Sequence, residues 1–213
     1  DLVVHPSAVV RAYDVLRSEG RLDAGDRCRH VAGHDTRMAH AAAPAAADLQ
    51  PWQLRDACDV QRALLPGCAP TMAGLDVAAV TRPALGVGGD YFDFLPHADG
   101  RLSVVCGDVS GKGMPAALVM ATLRAFVHSH SDAAVPLPAL MATLNRRLYD
   151  STAPNRFATF CALRCDADGR GVEYVNAGHE PPVVLRRAGV VDRLPVGGPA
   201  LGVLPDSDFH TGR

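Results

Sequence analysis

The stretch from Val87 to Leu118, VGGDYFDFLPHADGRLSVVCGDVSGKGMPAAL, constrains the fold of this chain more than any other segment. It contains two apolar, strand-like runs that are joined by the turn sequence HADGR. A three-residue hairpin loop whose last residue is a left-handed glycine suits Ala98-Asp99-Gly100. Counting outward from this loop predicts that Asp90 lies directly opposite Asp108. A two-residue turn would shift the register by one and send the two acids to opposite faces of the sheet.

Two opposed carboxylates call for an explanation, because each stands at the end of an apolar run. Directly opposite residues have Cβ atoms about 4.5–5.5 Å apart, and at such a distance one carboxylate normally takes up a proton. A divalent cation would remove the repulsion, and oxygen ligands without cysteine or histidine suit Mg²⁺ or Mn²⁺. The alternative is that Asp90 and Asp108 are strand-end residues that bond to turn amides. The spacing alone leaves both interpretations open.

The order of the elements indicates an α+β fold with mostly antiparallel sheets, because strands, two adjacent helices and further strands follow one another. We divide the chain into a poorly defined N-terminal segment and linker (1–50), a linker helix (51–67) and a main domain (68–213). A short helix over Pro6–Glu19 is expected in the first part. In the remainder, the predicted strands are Leu75–Thr81, Gly89–Leu95 and Arg101–Val109, the predicted helices Met114–His128 and Leu137–Tyr149, and the predicted hairpins FATFCALRCDADGRGVEYVNAGH and PPVVLRRAGVVDRLP.

Composition argues against several classes of protein. The net charge is −2 and the basic residues are scattered, which gives no footprint for nucleic acid or for an anionic membrane. No apolar run approaches the roughly 20 residues of a membrane span, and the first residues lack the order of a signal peptide. The six cysteines form no CxxC pair and read as small hydrophobes in a reducing cytoplasm. The four histidines of the N-terminal segment match no metal-binding spacing; they are His5, His30, His34 and His40.

The segment GDVSGKGM also invites a phosphate-loop interpretation, since Gly-Lys precedes a helix. The loop between Gly107 and Gly111 is one residue too short, and Gly113 stands where Ser or Thr should bind magnesium. Asp108 would also direct a carboxylate into a nest for phosphate. We therefore reject the phosphate-loop interpretation, and interpret Lys112 as a solvated turn residue.

With these residues in view, the sequence resembles the SpoIIE/RsbU group of bacterial metal-dependent serine/threonine phosphatases, which have a type 2C-like fold. The resemblance runs from about Val60 to the last residue and leaves residues 1–50 uncovered. The matching blocks are VQRALLP (60–66), VGGDYFDF (87–94), GDVSGKGMPAALVMA (107–121), LN (144–145), FATF (157–160), YVNAGHEPP (174–182) and GGPALGV (197–203).

The resemblance implies a four-layer α-β-β-α sandwich with a dinuclear Mn²⁺ or Mg²⁺ centre at one edge of its sheets. In that pattern Asp108 bridges the ions, Asp90 binds directly or through water, and Val109 contributes its backbone carbonyl. The glycines that support this site are Gly89, Gly107, Gly111 and Gly113. His179 is a candidate general acid by residue type, and the alternative is that it holds a loop by hydrogen bonds.

The function implied by the resemblance is hydrolysis of phosphoserine or phosphothreonine on a regulatory protein by a metal-activated water. The expected partner is a phosphorylated STAS-type anti-sigma-factor antagonist. The helix before the domain either mediates a homodimer or simply packs on its own domain. The family's later acidic blocks do not occur before Arg213, so we expect a domain that is incomplete at the C-terminus and weak in metal affinity. The alternative function is a catalytically inactive regulatory or dimerisation domain of the same fold.

Overall fold

The structure is a computed structural model that describes residues 50–72, 75–83, 85–185 and 190–213. The predicted N-terminal helix, the four N-terminal histidines and Cys28 lie outside the described residues. The elements in chain order are α1 (Pro51–Leu64), β1 (Asp90–Pro96), β2 (Leu102–Val109), α2 (Gly113–His130), α3 (Leu137–Ser151), β3 (Ala158–Cys165), β4 (Val172–Ala177), β5 (Val183–Leu185) and β6 (Val191–Arg193).

The hairpin of β1 and β2 has the register that the sequence predicts. The amide of His97 donates to the carbonyl of Arg101 at 2.9 Å, and the amide of Gly100 donates to the carbonyl of His97 at 3.0 Å. Gly100 has φ +85°, a left-handed conformation that costs glycine little. Asp90 therefore pairs directly with Asp108.

A four-stranded antiparallel sheet with the order β1-β2-β3-β4 forms the centre of the described region. Helices α2 and α3 cover one face, since every third or fourth residue of each is apolar and buried. The main core between sheet and helices includes Tyr91, Val105, Met120, Leu144, Phe160 and Val175. The α+β class with antiparallel sheets is thus confirmed.

The opposite face of the sheet carries the acid pair together with a smaller apolar cluster. Cys161, Leu163 and Tyr174 pack there with Cys106 and Leu194. The strands β5 and β6 form a separate two-stranded antiparallel sheet. One helix layer and one four-stranded sheet of the expected sandwich are therefore present in the described part of the chain, along with this short ladder.

Buried polar side chains connect distant parts of the fold. Asn145, which is 1% exposed, accepts a hydrogen bond from the amide of Gly202 at 2.8 Å and donates to the carbonyl of Leu204 at 2.9 Å. The bond from Gly202 joins two blocks of the family resemblance, LN and GGPALGV. Arg164, 2% exposed, donates to the carbonyl of Val135 at 2.9 Å and so ties the loop between α2 and α3 to the sheet.

The prediction of a strand over Leu75–Thr81 is wrong. Leu75 forms only an isolated bridge with Met72, and residues 76–81 are not in a strand. Val80 is 78% exposed. A strand requires a partner for its backbone groups, and among the described residues no strand pairs with this run.

Two further findings concern composition. The cysteines within the described residues are free, with Cys161 and Cys165 buried and Cys68 exposed. None of the described helices combines the length and the apolar character that a membrane crossing requires.

Candidate metal centre

The candidate site lies at the end of the β1–β2 hairpin that is remote from its loop. Asp90 is the first residue of β1 and Asp108 the penultimate residue of β2, and they form a directly opposed pair. Asp90 is exposed and Asp108 is half-buried. The hydroxyl of Thr81 lies 3.4 Å from Oδ2 of Asp90, which is a long hydrogen bond.

The proximity of the two acids has an electrostatic consequence. Burial and, to a lesser extent, the negative charge of Asp90 raise the pKa of Asp108 to about 6, although the charge of His179 opposes the shift. The Asp108 carboxylate is therefore unfavourable as an anion, and a second carboxylate lies beside it. A cation bound between the two would lower the free energy of both anions.

Gly89 forms a cradle beside this pair. The amide of Val109 donates to the carbonyl of Gly89 at 3.2 Å. A Cβ atom on Gly89 would lie 2.5 Å from the carbonyl oxygen of Val109 and 3.0 Å from Oδ1 of Asp108. These two oxygens therefore converge on one point, which only glycine leaves open.

The donor set fits a hard divalent cation. Asp90 and Asp108 supply carboxylate oxygens and Val109 supplies a carbonyl oxygen, which are the ligand types that Mg²⁺ and Mn²⁺ prefer. Among the described residues, no group of three or more His, Cys, Asp or Glu side chains converges as a metal site. Water would have to complete the coordination shell of an ion held by these three residues.

The loop after β2 is shaped by glycines at its turns. Gly111 has φ +100°, and a side chain there would collide with the guanidinium of Arg156. Nη1 of Arg156 donates to the carbonyl of Ser110 at 2.8 Å. Gly113, with φ +68°, begins α2, while Lys112 is exposed.

Gly107 allows the neighbouring strand to approach closely. A Cβ atom there would lie 2.7 Å from both the ring of Phe160 and the carbonyl oxygen of Thr159. The strand that carries Asp108 is therefore packed tightly against β3. Gly89 lies beside Asp108, Gly107 directly precedes it, and Gly111 and Gly113 have positive φ angles in the turn into α2. The role of these four glycines in supporting a metal site is part of the proposal below.

His179 is buried near the site but is engaged in holding its own turn. Its backbone amide donates to Oδ1 of Asn176 at 2.8 Å, and the side-chain Nδ2 of Asn176 donates to the backbone carbonyl of His179 at 3.0 Å. Burial lowers the pKa of His179, but a hydrogen bond and charge from Cys106, with the charges of Asp108 and Glu180, outweigh it and leave that pKa raised. Both hydrogen bonds use backbone atoms of His179, so they assign its imidazole neither to proton transfer nor to holding the loop.

The structure adds residues that the sequence did not assign to the site. Thr159 pairs with Asp108 across β2 and β3, and its hydroxyl lies 2.8 Å from Nδ1 of His179 and 3.4 Å from the carbonyl of Asp108. Arg156 braces the loop at Ser110. Thr159 lies within the FATF block and Arg156 directly precedes it. The match of this block to the family could have pointed to both residues. Gln61, in the VQRALLP block, bonds to Gly88 near the site.

Comparison with known proteins places the chain in a family. Residues 98–213 match the family described as Stage II sporulation protein E (SpoIIE). The chain belongs to this family. Protein IcfG of Synechocystis sp. is 28% identical over 74% of this chain and 29% of its own length. Phosphoserine phosphatase RsbU of Bacillus subtilis is 28% identical over 74% of this chain and 47% of its own length.

A solved structure supports the fold. The SiaA-PP2C domain of Pseudomonas aeruginosa aligns with a TM-score of 0.59 at 19% identity, covering 75% of this chain and 65% of that one. The fold is therefore of the type 2C phosphatase kind, as the resemblance implied. The chain spans less than half the length of the curated relatives IcfG and RsbU.

Proposed function

We propose that this chain is the phosphatase domain of a metal-dependent protein serine/threonine phosphatase. It hydrolyses phosphoserine or phosphothreonine on a regulatory protein. The observation that carries the proposal is the direct opposition of Asp90 and Asp108, with the carbonyl oxygen of Val109 beside the Asp108 carboxylate. Membership of the SpoIIE family and the type 2C fold are consistent with this chemistry.

The residues of the site have distinct tasks in this proposal. Asp108 and Asp90 would hold the metal through their carboxylates, Asp90 directly or through water, and Val109 would hold it through its carbonyl. When bound, Mn²⁺ or Mg²⁺ supplies an activated water and screens the charge of the phosphate. Gly89 keeps the space beside Asp108 free of side-chain atoms.

The second task of the protein is to hold these ligands in fixed positions. β2 is paired on both sides, with β1 and with β3, so Asp108 is fixed by two ladders. A site that is ordered before the substrate binds needs little reorganisation in the transition state. Thr159, His179 and Asn176 form a hydrogen-bonded support behind Asp108.

The proposed substrate is a phosphorylated anti-sigma-factor antagonist of the STAS type. Two of the relatives, RsbU and RsbP of Bacillus subtilis, are named as phosphoserine phosphatases. Transfer of this activity to the present chain rests on family membership and on the acid pair, since the chain spans only part of each relative. We also propose that the functional unit acts in a sigma-factor regulatory switch.

The decisive experiment measures phosphate release from a phosphoserine peptide and from a phosphorylated STAS-type protein, with Mn²⁺, with Mg²⁺ and with a chelator. We expect metal-dependent release by the chain that Asp108→Asn reduces by at least about 100-fold, the range found when a stabilising group is removed from a transition state. The control is Asp56→Asn, because Asp56 is an exposed residue of α1.

The outcomes separate the two candidate functions. Hydrolysis that is unaffected by Asp108→Asn would remove that residue from the site. Mn²⁺ binding without hydrolysis of either substrate would instead favour the alternative, a regulatory or dimerisation domain of the same fold. Release in the presence of the chelator would contradict a metal-dependent reaction.

A further inference from the structure

Two cysteines face each other across β2 and β3, on the sheet face that carries the acid pair. Cys106 and Cys161 are directly opposed residues of these antiparallel strands, and both pack in the smaller apolar cluster of that face. Farther along the same ladder, the amide of Ser110 donates to the carbonyl of Phe157 at 2.8 Å. Because hydrogen-bonded pairs alternate along an antiparallel ladder, the two cysteines form such a pair, in which the Cα atoms lie about 5.5 Å apart.

This spacing suits a disulfide bond. Residues joined by a disulfide usually have Cα atoms roughly 4.4–6.8 Å apart. Both cysteines are free thiols here, and each thiol is a side-chain hydrogen-bond partner of the other. The two sulfurs can therefore bond to each other without a shift of β2 relative to β3.

An imidazole and a hydroxyl group complete this cluster. The side chain of His179 is a hydrogen-bond partner of the Cys106 thiol, and its Nδ1 lies 2.8 Å from the hydroxyl of Thr159. The turn that carries His179 is held by Asn176, the residue opposite Cys161 on β4. The imidazole is therefore placed to take up the proton of Cys106, and a thiol becomes a nucleophile by losing that proton.

The two thiols differ in their access to solvent. Cys106 is half-buried, whereas Cys161 is 0% exposed. A small oxidant therefore reaches Cys106 first and finds Cys161 beside it as a second sulfur. An accessible thiol next to a second cysteine is the arrangement found in cysteines that respond to oxidants.

We infer that Cys106 and Cys161 are a thiol-oxidation site, which hydrogen peroxide converts into a cross-strand disulfide. The sulfur of Cys106 attacks one peroxide oxygen and the O–O bond breaks, which leaves a sulfenic acid on Cys106. The thiol proton, taken up by His179, joins the departing hydroxide to give water.

The second step closes the disulfide. The sulfur of Cys161 attacks the sulfenic sulfur of Cys106, the S–O bond breaks, and the hydroxyl group leaves with the proton of Cys161 as a second water. The two thiols have then lost two electrons, which the peroxide has gained, and exchange with a small thiol reductant restores both. This chemistry uses no metal, so the inference can be tested separately from the proposed metal centre.

The test treats the reduced full chain with hydrogen peroxide in the presence of a chelator, alkylates the remaining thiols and maps the cysteines by trypsin digestion and mass spectrometry. Trypsin separates Cys106 and Cys161 into the peptides 102–112 and 157–164, and Cys165 falls in the next peptide, 165–170. We expect the main product to be a disulfide that joins the first two peptides within one chain. Dithiothreitol should reverse it.

Three variants separate the roles of the side chains. Cys161→Ser should stop the reaction at the sulfenic acid of Cys106, which the reagent dimedone traps, and Cys106→Ser should leave Cys161 unoxidised. His179→Gln should slow the oxidation of Cys106 by at least about tenfold, the lower part of the effect of losing a proton acceptor.

Cys165→Ser is the matched control. Cys165 is buried on the same strand as Cys161 and on the same face, because the two are four residues apart. Its opposed residues are Leu102 and Val172, neither of which is a cysteine. Cys165→Ser should therefore form the same disulfide as the wild type at the same rate.

Several results would overturn the inference. One is that the peptides 102–112 and 157–164 stay unlinked while other cysteines of the chain are oxidised or while none is. Another is that Cys106 of the Cys161→Ser variant reacts with peroxide no faster than Cys165. A link that forms only between two copies of the chain, seen by non-reducing gel electrophoresis, would count against it as well.

Two further outcomes are assigned in advance. An unchanged rate in His179→Gln would overturn the role of His179 as the proton acceptor. If Cys161→Ser does not fold, Cys161→Ala, which adds no polar group to the apolar cluster, decides by the same criteria.

Discussion

Asp90 and Asp108 are directly opposed on neighbouring antiparallel strands, and one is exposed while the other is half-buried. Their charges repel, and burial of Asp108 adds to the cost by raising its pKa. Without a cation, this arrangement destabilises the fold; in the proposed metal site, both acids would act as ligands. The same pair should therefore have opposite effects on stability in the absence and in the presence of metal.

The first prediction concerns this reversal. In the presence of a chelator at neutral pH, Asp108→Asn should raise the free energy of unfolding by about 1 kcal/mol, because it removes a repelling and partly buried charge. We discount the full effect of the raised pKa, since Asp108 is partly exposed and water screens its charge. Chemical denaturation measures the change.

Saturating Mn²⁺ should reverse the order of the two proteins, because a ligand that binds only the folded state stabilises it. Asp56→Asn, an exposed change on α1, should stay within about 0.5 kcal/mol in both conditions. A metal-free Asp108→Asn variant that is less stable than the wild type would contradict the repulsion.

The second prediction uses two adjacent glycines as a matched pair. A Cβ atom on Gly89 would lie 2.5 Å from the carbonyl oxygen of Val109, whereas on Gly88 the nearest atom, Cβ of Pro83, would be 3.6 Å away. Gly89→Ala should therefore destabilise the protein by about 1–3 kcal/mol, as overpacking does, and should weaken Mn²⁺ binding. Gly88→Ala should do neither.

Thermal unfolding in the presence of a chelator and Mn²⁺ titration measure these two effects. Since both changes add the same methyl group within one segment, equal effects would show that the close approach at Gly89 is not the cause. That result would also remove the cradle as an argument for the metal site.

The third prediction concerns a buried carboxylate that lies outside the candidate centre. Asp93, with a side chain that is 5% exposed, accepts from the hydroxyl of Tyr91 at 3.0 Å and the amide of Phe94 at 2.9 Å, and lies 2.7 Å from Nε2 of His128. Nε of Arg124 is 3.6 Å away. Asp93→Ala should cost about 2 kcal/mol, mainly because the buried hydroxyl of Tyr91 loses its acceptor.

We expect Asp93→Ala to cost less than the loss of one partner from a fully buried ion pair. The side chains of Arg124 and His128 are 27% and 40% exposed, so water can solvate their charges once Asp93 is removed. The control is Asp150→Ala, which breaks an exposed pair with Arg146 and should change stability by less than about 1 kcal/mol. Denaturation with urea measures both, and an equal loss in the two variants would contradict the role of the buried network.

The fourth prediction is a dependence of stability on pH at the hairpin loop. Burial lowers the pKa of His97 from 6.5, and the positive charge of Arg164 lowers it further. The unfolded chain therefore binds this proton more readily than the folded protein does. The stability that neutral His97 contributes is fully present above pH 6.5. It is lost as the pH falls from there through the lower pKa of His97 in the folded protein.

His97→Gln should reduce this loss, since glutamine can still bond to Ser103, whose hydroxyl lies 2.7 Å from Nε2 of His97, but does not titrate. The measurement is the free energy of unfolding of both proteins between about pH 7.5 and about pH 5.5, around the histidine range. Identical pH profiles would show that His97 makes no contribution.

Local sequence was sufficient for much of the fold. The bounds of α2, α3 and the two strands of the hairpin differ from the predicted ones by a few residues, because apolar periodicity and glycine-rich turns act over short distances. The exception is the segment Leu75–Thr81, a strand-like run that has no partner strand among the described residues. Such a run forms a strand only when another chain segment can complete its hydrogen bonds.

The sequence by itself predicted that Asp90 opposes Asp108, because a three-residue loop Ala98-Asp99-Gly100 with a left-handed glycine at its last position sets the register of the hairpin. Only the tertiary structure decided what surrounds that pair. Gln61 reaches Gly88 across 27 positions, and Thr159 comes within reach of the Asp108 carbonyl across 51. Contacts of such separation arise from the packing of whole helices and strands, which no local pattern specifies.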